Sequence, residues 1–148
     1  MVRAMRPGVL LLLALAAPAA LALDFRSIAE AGTVMYDAPS LKARPIFVAA
    51  RGTPVEVVVS TEAWIKVRDA AGDIAWVEKR ALNDKRMLIV LGKGAEVRKE
   101  ADAAAPLVFE ADKDVLLEWL EAGPAGWVRV RHADGQAGFV RVGQVWGL

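Results

Sequence analysis

Few side chains in this sequence could carry covalent chemistry. His132 is its only histidine, and there is no cysteine. A nucleophile needs a base beside it, so a lone histidine between Arg131 and Ala133 reads as a solvated turn residue rather than half of a catalytic pair. Ser27, Ser40 and Ser60 stand in no nucleophile motif, and Asp112 and Asp114 read as loop charges rather than an acid–base pair. A zinc site takes three or four Cys, His or carboxylate ligands, a set that one histidine does not supply. The stretch GKGAE, residues 92–96, lacks the spacing of a phosphate loop. The inventory therefore points away from catalysis and from any metal or organic cofactor.

What remains are rings and cations, side chains suited to binding. Two runs concentrate them: WIKVRDAAGDIAWV at 64–77 and WVRVRHADGQAGFV at 127–140. Read as strands, Ile65 and Val67 share one face, which puts Trp64, Lys66 and Arg68 on the other. Ala75 and Val77 suit the inward face of the return strand, leaving Ile74, Trp76 and Glu78 outward. Folding about the turn sets Lys66 opposite Trp76 and Trp64 opposite Glu78. The second run repeats this with Trp127, Arg129 and Arg131 on one strand and Phe139 and Arg141 on the next. Each run thus presents an aromatic-and-basic stripe, suited to carboxylate-bearing or sugar ligands through charge-assisted bonds and stacking. The competing reading has the same rings covered by a loop or by the other copy, with basic stems lying over them.

The elements that position these runs come as a duplicated unit. At the carboxy side the offset is 63, matching Trp64 with Trp127, Val67 with Val130, Gly72 with Gly135 and Val77 with Val140. At the amino side an offset of 61 matches Ile28 with Ile89, Tyr36 with Val97 and Pro45 with Pro106. Two inserted residues are then required, and AGPAG, residues 122–126, is the loop that would absorb them. VEVVVS, WIKV and IAWVE are dense in β-branched and aromatic residues, while DAAGD and HADGQ supply hairpin turns. DKDVLLEWLEA, residues 112–122, has spacing that could suit a helix, but its match to GTPVEVVVS predicts a strand. RKEADAAAP reads as a loop. Units of about sixty residues are marginal alone, and packing two together is one remedy.

The first twenty-two residues stand apart. Arg3 and Arg6, an apolar run and the small residues Ala20-Leu21-Ala22 have the order of a secretory signal peptide cleaved near Ala22. Pro7 and Pro18 bracket the run, which argues against a transmembrane anchor of about 20 residues and so against stable membrane insertion. Lacking cysteine, the chain has no lipid-attachment residue. Of 19 basic residues, Arg3 and Arg6 fall in this leader, leaving 17 against 18 acidic, or about −1. A near-neutral balance offers no general field for nucleic acid. An exported chain without disulfides is held by packing alone.

These features resemble the bacterial SH3 (SH3b) domains, and specifically exported envelope proteins with two of them. The matching stretches are VMYDAPS, RGTPVEVVV and AWIKVRDAAGDIAWVEKRAL in the first copy. In the second they are AEVRKEADAAAPLVF, KDVLLEWLE and GWVRVRHADGQAGFVRVGQVWG. The resemblance implies an all-β chain of two tandem SH3-like five-stranded barrels: a leader at 1–22, one domain at 23–84 and another at 85–148. It also implies a binding role in the cell envelope, which with the leader gives a periplasmic or secreted location, and MYD resembles the LYD motif of the eukaryotic SH3 peptide groove, with Tyr36 at the position of that motif's tyrosine. That groove's proline position is Glu78 or Arg141 and its last tyrosine Ala81 or Gln144, so proline-peptide binding is not expected.

The sequence therefore predicts a non-catalytic binding protein for a cell-envelope component, a peptidoglycan peptide or a protein partner. Its expected ligand-binding residues are Tyr36, Trp64, Lys66, Trp76, Trp127, Arg129 and Phe139. The alternative is an assembly module acting by protein–protein contact with no small ligand.

Overall fold

A computed structural model describes residues 22–148, so the expected leader, apart from its last residue Ala22, lies outside the described residues. The first unit contains β1 (Phe25–Ile28), β2 (Thr33–Tyr36), β3 (Pro45–Ala49), β4 (Pro54–Ser60), β5 (Trp64–Arg68), β6 (Ile74–Glu78) and β7 (Leu82–Asn83). The second contains β8 (Met87–Val90), β9 (Ala95–Arg98), β10 (Leu107–Ala111), β11 (Leu116–Ala122), β12 (Trp127–Arg131), β13 (Ala137–Arg141) and β14 (Val145–Trp146). One 3-10 turn precedes each last strand, at Lys79–Ala81 and Val142–Gln144. Every pairing is antiparallel, and the strand order β3-β2-β6-β5-β4-β1-β7 recurs as β10-β9-β13-β12-β11-β8-β14. The count is seven rather than five because short end segments such as Leu82–Asn83 and Val145–Trp146 pair as strands of their own. Residues 112–122 hold a strand, as their match to the first copy predicts.

Each sheet curls around one core. Ile28, Met35, Val55, Ile65, Val67, Ala75 and Val77 fill the first; Leu88, Val90, Val97, Leu117, Val128, Val130 and Val140 fill the second. Strict alternation on the central hairpins sends these side chains inward and everything between them outward. β-branched residues suit such positions because they fill a pleated surface with few rotamers to lose.

The strand register corrects the alignment of the two copies. Tyr36 pairs with Trp76, and its counterpart Arg98 pairs with Phe139. Ile28 sits where Val90 sits, beside Leu82 and Val145 respectively, and Pro45 corresponds to Leu107, each across from Tyr36 or Arg98. The amino-side offset is thus 62, not 61. A single residue is inserted, in the loop Gly123–Gly126 against Thr61–Ala63. The physical reason is parity: a one-residue slip turns every side chain to the other face, and Val97 is fully buried while Arg98 is not. Even the bulges match at 62, at Ile46 and Val108 and again at Val58 and Leu120.

The units also touch. Phe25 meets Trp146 edge-on with ring centroids 5.0 Å apart. Pro54 lies against Gly147, and Gly52 against Met87 and Leu116. Gly52 takes φ +83°, and its counterpart Asp114 has φ +70°, so one left-handed turn is used twice. At Gly52 an added Cβ would stand 3.3 Å from Met87 Cε, the mobile end of a flexible side chain, so it is the left-handed φ rather than space that favours glycine there. Buried Ser27 fastens the connector: its hydroxyl reaches Asn83 Oδ1 at 2.7 Å and the Lys85 carbonyl at 2.8 Å.

Candidate functional site

On the first unit, the outer face carries a row running across four strands: Val59, Lys66, Trp76 and Tyr36 are successive cross-strand neighbours. Trp64 faces Glu78 in the adjacent row. The Tyr36 and Trp64 rings meet edge-on, centroids 5.6 Å apart and planes 82° apart, a favourable arrangement of ring quadrupoles. Lys66 Nζ stands 6.0 Å from the Trp76 ring centroid. All four predicted residues of this copy, Tyr36, Trp64, Lys66 and Trp76, are thus brought together, each partly exposed. Glu78 pairs with the exposed Arg80 at 3.1 Å. These two side chains line two clefts of about 380 Å³ each, one reaching Tyr36 and Thr33, the other Glu62 and Ala63.

The second unit has the same frame and different occupants. The corresponding row is Glu121, Arg129, Phe139 and Arg98. Arg129 pairs with Glu121 at 3.4 Å, while Arg98 holds Glu96 and donates to the Ala105 carbonyl at 2.9 Å. Arg141 lies over Trp127, 4.7 Å from the ring centroid. Both outer faces thus carry rings and cations as expected, but in the second the cations are already engaged. Trp127, Arg129 and Phe139 share a face, but Arg141 lies on that tryptophan and Glu121 holds that arginine. The ring partners of Trp64 and Trp127 lie within their own units, and the inter-unit contact uses Phe25 and Trp146 instead.

Sequence reasoning missed Arg98 as a face residue, because the slipped alignment set Val97 beside Tyr36. The parity of Ala95 and Val97, both buried, is the signal that finds it. It also passed over Glu56 and Glu118, matched at 62 and each salt-bridged to the matched arginine, Arg68 at 3.1 Å and Arg131 at 2.8 Å. Arg131 donates to Glu118 and, with Lys85 nearby, holds that carboxyl below the ordinary carboxylate range. In the turn after β12, the His132 ring packs at a tilt on Phe109, 5.7 Å between centroids, with Nδ1 3.1 Å from Asp134 Oδ1. Gln136 bonds to Asp134 by side chain and backbone and, with His132, lowers that carboxyl's pKa. Among the described residues no group of three His, Cys, Asp or Glu side chains could hold a metal ion.

The family model for the bacterial SH3 domain matches twice, over residues 29–84 and 92–147. Solved structures that this chain matches include NlpC2 from Trichomonas vaginalis, at 13% identity and TM-score 0.38 over 86% of this chain and 49% of that one. NlpC1 from the same organism gives 14% and 0.37 over 95% and 51%. An NlpC/P60 family protein from Bacillus cereus gives 14% and 0.37 over 82% and 55%. The chain thus spans about half the length of these structures. No curated protein gives a match.

Proposed function

The chain belongs to the bacterial SH3 domain family, with two consecutive copies, and from that premise we propose that it is an exported, non-catalytic protein that binds a component of the cell envelope. Bacterial SH3 domains are cell-wall binding modules, and the binding surface proposed for this chain is the outer face of its central hairpins. The observation that carries the reading is where the rings lie. Phe25 and Trp146 take up the contact between units, while Tyr36, Trp64, Trp76, Trp127 and Phe139 stay partly exposed on outer faces. Large apolar side chains left at a surface in a cluster mark interaction sites. The residues 1–22 supply the export signal in this reading.

Co-sedimentation with purified cell-wall sacculi tests it. The wild-type chain is expected in the pellet, and a chain with both Trp64→Ala and Trp127→Ala is expected in the supernatant. Wild-type protein that stays in solution with sacculi rejects the wall as the target.

A second reading, assembly by protein–protein contact, is favoured by one feature. The edge strand β3 leaves Phe47 39% and Val48 70% exposed beside unpaired backbone groups, a template for strand addition. Crosslinking in envelope extracts would recover a stable partner; a chain that remains monomeric there argues against this version.

A further inference from the structure

The four outward corners of the β5–β6 hairpin alternate in chemistry. Along β5 they are Trp64 then Lys66; across from them on β6 stand Glu78 and Trp76. A cation and an anion therefore occupy one diagonal and two indole rings the other. Side chains on such a diagonal have Cβ atoms about 7 Å apart. Both charged heads stand on flexible stems above those atoms, and an extended dipeptide, at about 3.3–3.6 Å per residue, is long enough to reach from one to the other. Among the described residues Lys66 has no carboxylate within ion-pair distance, and Glu78 pairs only with Arg80, which is 81% exposed and readily displaced.

The matching corners of the second unit read Trp127, Arg129, Phe139 and Arg141. Both charges are positive there, so no zwitterion is complemented. Both are also engaged, Arg141 on Trp127 and Arg129 on Glu121. The clefts beside the 3-10 turns also differ: the first is lined by Tyr36, Glu78, Arg80 and Ala81, whereas the one reaching Gln144 is smaller, about 260 Å³, and carries Lys93 with the carboxylates Glu96, Glu110 and Asp112.

Building on the envelope-binding reading, we propose that the first unit alone receives the ligand, and that the ligand is zwitterionic: a peptide segment with an ammonium and a carboxylate about one dipeptide apart. Lys66 takes the carboxylate and Glu78 the ammonium, while Trp64 and Trp76 cover the apolar part between them. The second unit braces the first through the Phe25–Trp146 contact.

The five tryptophans make the test direct, since each indole N–H gives its own NMR signal. The purified chain is titrated with alanyl-alanine bearing free termini, then with its N-acetyl and C-amide derivatives. The Trp64 and Trp76 signals are expected to shift while Trp119, Trp127 and Trp146 stay still. Blocking either terminus is expected to weaken binding by about tenfold or more, the loss of one charge-assisted hydrogen bond. Lys66→Met should erase the difference between free and amidated peptide, and Glu78→Gln that between free and acetylated peptide. Equal affinity for blocked peptides, or a shift of Trp127 alongside Trp64, overturns the proposal. Protein that sediments with sacculi yet ignores the free dipeptide keeps its envelope role and loses this ligand. Protein that does neither loses both.

Discussion

Replacing Gly138 by alanine tests how the second unit is built. The glycine is buried in β13 at the point where that strand crosses β9. An added Cβ would lie 2.5 Å from the Arg98 carbonyl oxygen and 2.8 Å from Val97 Cγ1. Ordinary carbon–oxygen contacts run at about 3.3 Å, so the strands must separate by roughly 0.8 Å. The closer neighbour is backbone, which cannot swing aside. Overpacking of this kind costs about 1–3 kcal/mol, against a gain of about 0.4–1 kcal/mol from stiffening the unfolded chain. The net loss is about 1–2 kcal/mol, and at roughly 4–8 °C per kcal/mol for a unit of this size the melting temperature should fall by about 4–16 °C. The repeat supplies a control, because its counterpart Ala75 already carries a Cβ in a buried strand. Ala75→Gly should lower stability by the cost of backbone freedom, about 0.5–1 kcal/mol, together with about 0.8 kcal/mol for its buried methyl. Thermal unfolding followed by near-ultraviolet circular dichroism measures both. A Gly138→Ala chain melting at or above wild type refutes the claim that the missing side chain sets the β9–β13 spacing.

Three further outcomes follow from the same geometry. Arg141→Glu gives the second hairpin the alternating corners of the first and removes the ring contact with Trp127; the Trp127 indole signal should then respond to alanyl-alanine, with about 1 kcal/mol lost in urea unfolding. Glu118, held below the ordinary carboxylate range by Arg131, contributes stability that is fully present above that range and lost as pH falls through its depressed value. Urea midpoints measured from pH 7 down to 3 should therefore drop less steeply in Glu118→Gln than in wild type. Trp146→Ala removes the edge-on contact with Phe25, worth about 0.5–1.5 kcal/mol beyond its area, and scanning calorimetry should show the two units melting further apart.

Much of the fold was legible because strand alternation is a local rule. Ile65, Val67, Ala75 and Val77 could be assigned inward from four residues of context, and cross-strand neighbours such as Lys66 and Trp76 followed from the turn. The amino-side alignment failed where sequence similarity was weak. Proline and isoleucine matches drew Tyr36 onto Val97, and the strand register, with Arg98 paired to Phe139 and the bulges in step, restored the true offset. The candidate site was half legible: residue types were visible, whereas the partners that engage them were not. Glu121 lies eight residues from Arg129 on another strand, and nothing local announces that it holds that guanidinium.

By itself the sequence determined that there are two β units, which side chains face their cores, and which rings and cations are left outside, since each follows from short-range periodicity. The tertiary structure decided which outer charges are free and which are already satisfied. It also decided that Phe25 and Trp146, rather than the hairpin tryptophans, join the units. Those outcomes depend on distances between strands far apart in the chain, and such distances exist only once the sheet has closed around its core.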